Sequence, residues 1–124
     1  MDKELYKEKL KQFNSTPKYK AEVDFLMRLM QPKEGEKILD YGCGTGNLVR
    51  TIRTVFKAEC FGYDVNNYRE HDDEYLFKSN FFFKFDKVYF CHSISHVPEI
   101  WNKLEDLKTL LNPGAKIYVI TPNA

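Results

Sequence analysis

Ile38-Leu39-Asp40-Tyr41-Gly42-Cys43-Gly44-Thr45-Gly46-Asn47-Leu48-Val49 is the stretch on which the fold of this chain turns. A short apolar run ends in an acid, three glycines follow at alternate positions, and an amphipathic helical pattern begins. Glycine reaches φ > 0 at little cost and lets a ligand approach the backbone. The first turn of the following helix leaves N–H donors without intrahelical partners. Strand, glycine loop and helix in that order predict the ligand-binding corner of a doubly wound α/β domain.

Two phosphate-binding patterns fail here. The dinucleotide fingerprint G-x-G-x-x-G needs a glycine at position 47, where Asn47 stands. That also disfavours a nicotinamide-dependent oxidoreductase. The P-loop needs Gly-Lys-Ser/Thr after its spacer, and Gly46 is followed by Asn47 and Leu48. What remains is Asp-x-Gly-x-Gly-x-Gly.

Composition sets the frame around that corner. With 124 residues, 43% hydrophobic and 30% charged, the chain suits one small globular domain. Such a chain buries roughly two-thirds of its unfolded surface, enough for one sheet and its helices. A net charge of +1 gives no electrostatic reason to expect nucleic acid or a membrane surface as partner. Cys43, Cys60 and Cys91 are odd in number and widely spaced, which argues against a disulfide framework or zinc site. The polar start Met1-Asp2-Lys3-Glu4 lacks an apolar h-region, and the expected location is cytoplasmic.

Upstream of the corner, Leu5, Tyr6, Leu10 and Phe13 predict a short amphipathic helix, with residues 1–16 as an N-terminal extension of a single 1–124 domain. Thr16 and Pro17 open a second helix carrying Tyr19, Val23, Leu26, Met27 and Met30, which Gln31-Pro32 ends. Its apolar face reads as packing against the sheet, and Tyr19 could overhang a ligand. Lys37 to Tyr41 is the first strand.

Downstream, a crossover helix is expected from Thr45, with Leu48, Val49, Ile52, Val55 and Phe56 as its apolar stripe, and Glu59 to Asp64 is a second strand ending in an acid. Strand, helix and strand in so few residues imply a right-handed parallel crossover. Asp64 lies 24 residues after Asp40, where doubly wound folds place a ribose-binding acid. A solvated loop aspartate is the bland alternative. Asn66 to Glu74 is polar, with room for a turn or two of helix, and Tyr75 to Ser79 is the third strand, followed by Asn80. Phe81-Phe82-Phe83-Lys84-Phe85 reads as core and ligand-side packing, or else as a sticky surface. Asp86 to His92 is the fourth strand, Ser93 to Val97 a loop, and Pro98 to Leu111 a helix. Asn112-Pro113-Gly114 is a turn signal, and Lys116 to Thr121 the fifth strand.

The series resembles the class I S-adenosylmethionine-dependent methyltransferases over about residues 17 to 122. Asp40 to Gly46 resembles motif I, and Ser79-Asn80 a variant of the polar pair after the third strand. Phe85-Asp86-x-Val88 is similar to the opening of motif IV, and Leu110 to Ala115 to an L-x-P-G-G turn with Ala115 in place of the second glycine. The resemblance implies a doubly wound, mostly parallel five-stranded sheet in the order 3-2-1-4-5, a Rossmann-like core flanked by helices and lacking the family's final two strands. It implies S-adenosyl-L-methionine as cofactor, S-adenosyl-L-homocysteine as product and a small-molecule acceptor. Asp40, Gly42, Cys43, Gly44, Gly46 and Asn47 would surround the methionine half. Asp64 would hold the ribose, Val65 would pack on the adenine, and Asn80 and Phe81 would meet its edge. Cys91 and His92 would lie near the sulfonium.

An imidazole titrates near neutral pH, so His96 is the first candidate base and His92 the second, needed only if the acceptor must lose a proton. A loop histidine is the bland alternative for His96. The His92–His96 spacing lacks a third ligand for a metal, and none is expected. The missing strands leave a minimal enzyme, a fragment, or a non-catalytic binding module that needs a partner chain to complete its acceptor site. An unpaired fifth-strand edge is normally protected, so that edge and the aromatic run are candidate homodimer surfaces.

Overall fold

The computed structural model describes residues 17–64, 73–76, 83–91 and 100–120, with side chains described from residue 22 in the first stretch and from 104 in the last. Helix α1 (Pro17–Met30) leads into β1 (Lys37–Tyr41), α2 (Asn47–Phe56) and β2 (Glu59–Tyr63). Strand β3 (Phe85–Cys91), α3 (Ile100–Lys108) and β4 (Leu111–Ile120) follow. The four strands form one sheet in the order β2-β1-β3-β4, with every pair parallel. This is the 2-1-4-5 part of the expected order. No helix among the described residues is long and apolar enough to cross a membrane.

Alternation along the strands separates two cores. Ile38, Cys60 and Tyr89 face α1 and α2, where Val23, Leu26, Met27, Met30, Val49 and Ile52 bury against them. Leu39, Val88, Phe85 and Phe90 face the other way and pack on Leu107 of α3. Period-two alternation across a sheet covered on both faces requires this division. Helix α1 stops where Gln31 takes φ 46°, its N–H still bonded to the Met27 carbonyl at 2.8 Å. The chain enters β1 on the far side of a Gly35 turn with φ 79°.

Several boundaries differ from the sequence expectation, and α3 stops at Lys108 rather than at Leu111, which opens the next strand. Tyr75 and Leu76, expected to open a third strand, lie in a turn closed by the Leu76 N–H on the Asp73 carbonyl at 3.2 Å. The rest of that expected strand, residues 77–79, lies outside the described residues, as does the expected helix within 1–16. Strand β4 begins at Leu111 rather than Lys116. Phe85 pairs with Leu111 and Lys87 with Lys116, so Asn112-Pro113-Gly114-Ala115 bulges out of the ladder. Proline has no N–H to give a ladder, which makes this the place where the register shifts. Helix α2 begins two residues later than expected, because Gly46 sits at φ 86° as its N-cap.

The expected aromatic packing is present where it is described. Phe83 lies 4.7 Å from Phe61 and 5.4 Å from Phe85, ring centre to ring centre. All three belong to the core on the α3 face, away from Asp40 and Tyr89.

Candidate functional site

Strands β1 and β3 are neighbours, while the chain leaves β1 toward β2 on the opposite side. Between the carboxyl ends of β1 and β3 the connections diverge, the point at which doubly wound sheets bind ligands. A cavity of about 250 Å³ opens there, lined by Asp40, Gly42, Cys43, Gly44, Thr45, Asn47, Leu48 and Cys91. Residues from the glycine loop, the first turn of α2 and the end of β3 are thus brought together.

Asp40 is the chemically unusual member. It is 3% exposed, and its Oδ2 accepts the Tyr89 hydroxyl at 2.8 Å. Among the described residues no cation pairs with it. Burial therefore pushes its carboxyl up from 3.8 to about 7, the Tyr89 bond pulls it back, and the Asp64 charge adds to the rise. Cys60 and Tyr89, buried in the same layer, are both held well above their ordinary values, again first by burial. A buried carboxylate with one neutral donor suits a cationic ligand group.

The glycine loop is anchored largely by its own amides. Gly42 and Cys43 donate to the Tyr63 carbonyl at 2.7 and 3.0 Å, and Gly46 donates to the Cys43 carbonyl at 2.9 Å. Gly44 donates to Asp64 Oδ2 at 2.8 Å, so Asp64 ties the loop to the end of β2. The first intrahelical bond of α2 runs from Arg50 to Gly46. The amides of Asn47, Leu48 and Val49 consequently have no intrahelical acceptor.

Space as well as dihedral angle demands glycine at Gly46. A Cβ there would lie 2.6 Å from Cδ1 of Leu76, at φ 86°. Gly62 is equally confined: its Cβ would lie 2.7 Å from Cys43 Sγ. Leu76, 2% exposed, thus closes the back of the loop from the turn after β2.

A profile of the methyltransferase-domain family matches residues 6–124. The chain belongs to the class I S-adenosylmethionine-dependent methyltransferase family. That family uses S-adenosylmethionine. The 24-methylenesterol C-methyltransferase 2 of Arabidopsis thaliana is 30% identical to this methyltransferase-family chain, over 73% of the chain and 30% of its own length. An O-methyltransferase of Pyrenophora dematioidea is 25% identical over 76% and 42%. The S-adenosylmethionine-dependent methyltransferase of Geobacter sulfurreducens, solved in complex with S-adenosyl-L-homocysteine, superposes with a TM-score of 0.55 at 16% identity, over 84% of this chain and 47% of that one. That likeness is one of fold. The chain spans less than half the length of each of these relatives.

Of the residues singled out from the sequence of this methyltransferase-family chain, the cavity gathers Asp40, Gly42, Cys43, Gly44, Asn47 and Cys91. Gly46 caps α2 beside it. The Asn47 carboxamide oxygen is engaged by Arg50 Nη2 at 2.6 Å, and Arg50 in turn pairs with Asp73 at 3.1 Å. Tyr19 falls in the first turn of α1, its side chain outside the description. Val65, Asn80, Phe81, His92 and His96 lie outside the described residues. Sequence reasoning passed over Tyr89, Gly62 and Leu76. Tyr89 had one legible signal: a hydroxyl at an inward position of a buried strand must find a partner.

Proposed function

We propose that this corner binds S-adenosylmethionine and that the chain serves transfer of its methyl group to a small-molecule acceptor. The observation that carries the reading is Asp40, a buried carboxylate without a cationic partner among the described residues, on the wall of a cavity at the switch point. It suits the ammonium of the methionine half, and the unpaired first-turn amides of α2 suit the carboxylate. Small-molecule clefts usually hold roughly 300–1,000 Å³, so a cavity of about 250 Å³ suits that half of the cofactor. The ribose would then lie toward Asp64. Val65, Asn80 and Phe81 are assigned to the adenine, and Tyr19 to the rim of the site, from the sequence alone.

When bound, the cofactor supplies an electrophilic methyl group on a sulfonium, which an acceptor atom displaces in line. The protein's part is mainly orientation, so the loop and Cys91 matter as fixed walls. His96, and after it His92, is assigned as base where the acceptor must lose a proton. Relatives named for sterol C-methylation and for O-methylation support small organic acceptors.

A second reading rests on β4. Among the described residues it pairs on one side only, and Ile117 and Val119 are 39% and 43% exposed. A non-catalytic binding module completed by a partner chain, or a homodimer through that edge, follows from this reading. Sedimentation showing a clean monomer at high concentration would remove the dimer.

Calorimetry with S-adenosylmethionine, S-adenosylhomocysteine and NADH tests the main reading. The two sulfur ligands bind, NADH does not, and Asp64→Ala weakens binding about tenfold or more by freeing the loop amide it holds. Absence of binding by both sulfur ligands would overturn the cofactor assignment. Binding without methylation across a broad acceptor panel would favour the module.

A further inference from the structure

Strand register places Asp40 between Gly62 on β2 and Tyr89 on β3. Gly62 offers no side chain, so the only side chain directly beside Asp40 across the sheet is Tyr89. That tyrosine is 0% exposed and sits among Val23, Leu26, Met27 and Met30 of α1, Val49 and Ile52 of α2, and Cys60 of β2. Its hydroxyl reaches Asp40 Oδ2 at 2.8 Å and lies 3.9 Å from Cys60 Sγ. A purely structural ring at this position has no need of an oxygen, and the oxygen present is aimed at Asp40, the one carboxyl among the described residues of the cavity wall.

The groups around Asp40 explain what that hydroxyl does. From β2 come Cys60, buried as a thiol, and beyond its end Asp64, whose charge opposes a second negative charge nearby. The glycine loop contributes Cys43 and backbone, and α1 presents apolar side chains. Arg53 of α2 acts on Cys60 and is tied to the Cys60 carbonyl at 2.7 Å. An ionised Asp can only accept hydrogen bonds, so the Tyr89 O–H favours the ionised carboxyl over the neutral one.

We propose that Tyr89 is a positioning residue for the cofactor: its hydroxyl fixes Asp40 on the cavity wall and favours its ionised form, so that cofactor binding is coupled to loss of one proton from Asp40. The inference rests on the cofactor reading above. The balance is simple. Asp40 carboxylic acid gives its proton to solvent, and the carboxylate that remains faces the ligand's ammonium. Protonated Asp40 binds that group poorly, so affinity is lost as pH falls through the carboxyl's own titration at about 7.

The experiment is calorimetry of S-adenosylhomocysteine binding between about pH 5.5 and about pH 8.5, in buffers of differing ionisation heat. In the wild type, affinity falls about tenfold for each pH unit below the break, and up to one proton is released on binding. In Tyr89→Phe the break moves to higher pH. The variant then binds about tenfold more weakly near pH 6.5 and close to normally at the alkaline end. Asp40→Asn removes the pH dependence in both backgrounds. A uniform loss in Tyr89→Phe with an unmoved break would overturn the proposal, because a packing defect alone behaves that way. Carbon-detected titration of the Asp40 carboxyl in the cofactor-free wild type gives a reading independent of how the variant folds, and a carboxyl already ionised at pH 5.5 overturns the proposal. Binding with no proton release refutes the coupling while leaving the cofactor reading intact. No binding at any pH refutes both.

Discussion

Two aspartates on the same sheet have opposite electrostatic fates. Asp86 opens β3 at the amino end. Its Oδ2 accepts the Lys37 backbone N–H at 3.0 Å and its Oδ1 the Asn112 amide at 2.9 Å. The Lys37 bond foremost, then Asn112 and the charges of Lys37 and Lys87, hold its carboxyl below the usual range. Asp40 ends β1 at the carboxyl end, where burial outweighs its one hydroxyl donor and pushes it up to about 7. Asp86 ties the start of β1 to β4 and stabilises the sheet. Asp40 destabilises it, and a carboxylate retained against that cost is the mark of a ligand site.

The sharpest test of this contrast is Asp40→Asn. Between pH 3.8 and about 7 the folded wild type keeps a proton that the unfolded chain has lost. Stability contributed by this group is therefore full below pH 3.8, declines as pH rises through that window, and is lost above it. About three units at 1.36 kcal/mol each amount to as much as about 4 kcal/mol. Asparagine keeps an acceptor for Tyr89 without the charge. The variant should be more stable than wild type at pH 8 by up to this amount, about equal to it at pH 4, and poor at binding cofactor. Urea titrations at both values decide, and a variant no more stable at pH 8 would break the contrast.

Glycines at the two ends give the next largest effect. Gly46→Ala at the carboxyl end meets both a φ of 86° and Leu76 at 2.6 Å. Gly114→Ala at the amino end meets a φ of 81° in open space. Strain alone costs about 1 kcal/mol, and displacing a buried leucine adds roughly 1–3 kcal/mol. Gly46→Ala should accordingly lose about 2–4 kcal/mol and lower cofactor affinity, while Gly114→Ala loses about 1 kcal/mol with binding unchanged. Thermal unfolding and calorimetry on the two variants separate the ends.

The parts legible in the sequence were those with local causes. Helix α1 runs over Pro17–Met30 as expected, because Pro17 fixes its start and the apolar positions of its face recur at helical spacing. The motif I corner was legible because acid, glycines and helical stripe are contiguous. The cavity's Cys91 was reachable only through the family resemblance. What stayed hidden depends on partners distant in sequence. Tyr89 meets Asp40 across 49 positions, and Leu76 reaches Gly46 only once the turn has folded back over the loop. The start of β4 was misplaced because Asn112-Pro113-Gly114 carries every mark of a turn, while its neighbour β3 tolerates the residues as a bulge. Asp64 was read as a ribose ligand from its spacing, and its bond to the Gly44 amide is a tertiary fact that spacing does not contain.

Asp86→Asn is the smallest effect and the mirror of Asp40→Asn. A carboxyl held below its unfolded value contributes stability that is present above that unfolded value and lost as pH falls through the folded one. The amide keeps one oxygen for the Lys37 N–H but presents a donor where Asn112 already donates. About 1 kcal/mol should be lost at neutral pH, the scale of one hydrogen bond. The difference from wild type should shrink in strong acid, where Asp86 is itself protonated. Relative to wild type, Asp40→Asn therefore gains stability as pH rises from 3.8 to about 7, whereas the loss in Asp86→Asn grows only as pH rises through the acid range below 3.8 and is constant above it. If at pH 8 both variants were to differ from wild type in stability with the same sign, the two ends of the sheet would not differ electrostatically. Cofactor binding, unmoved by Asp86→Asn and impaired by Asp40→Asn, would still tell the structural end from the ligand end.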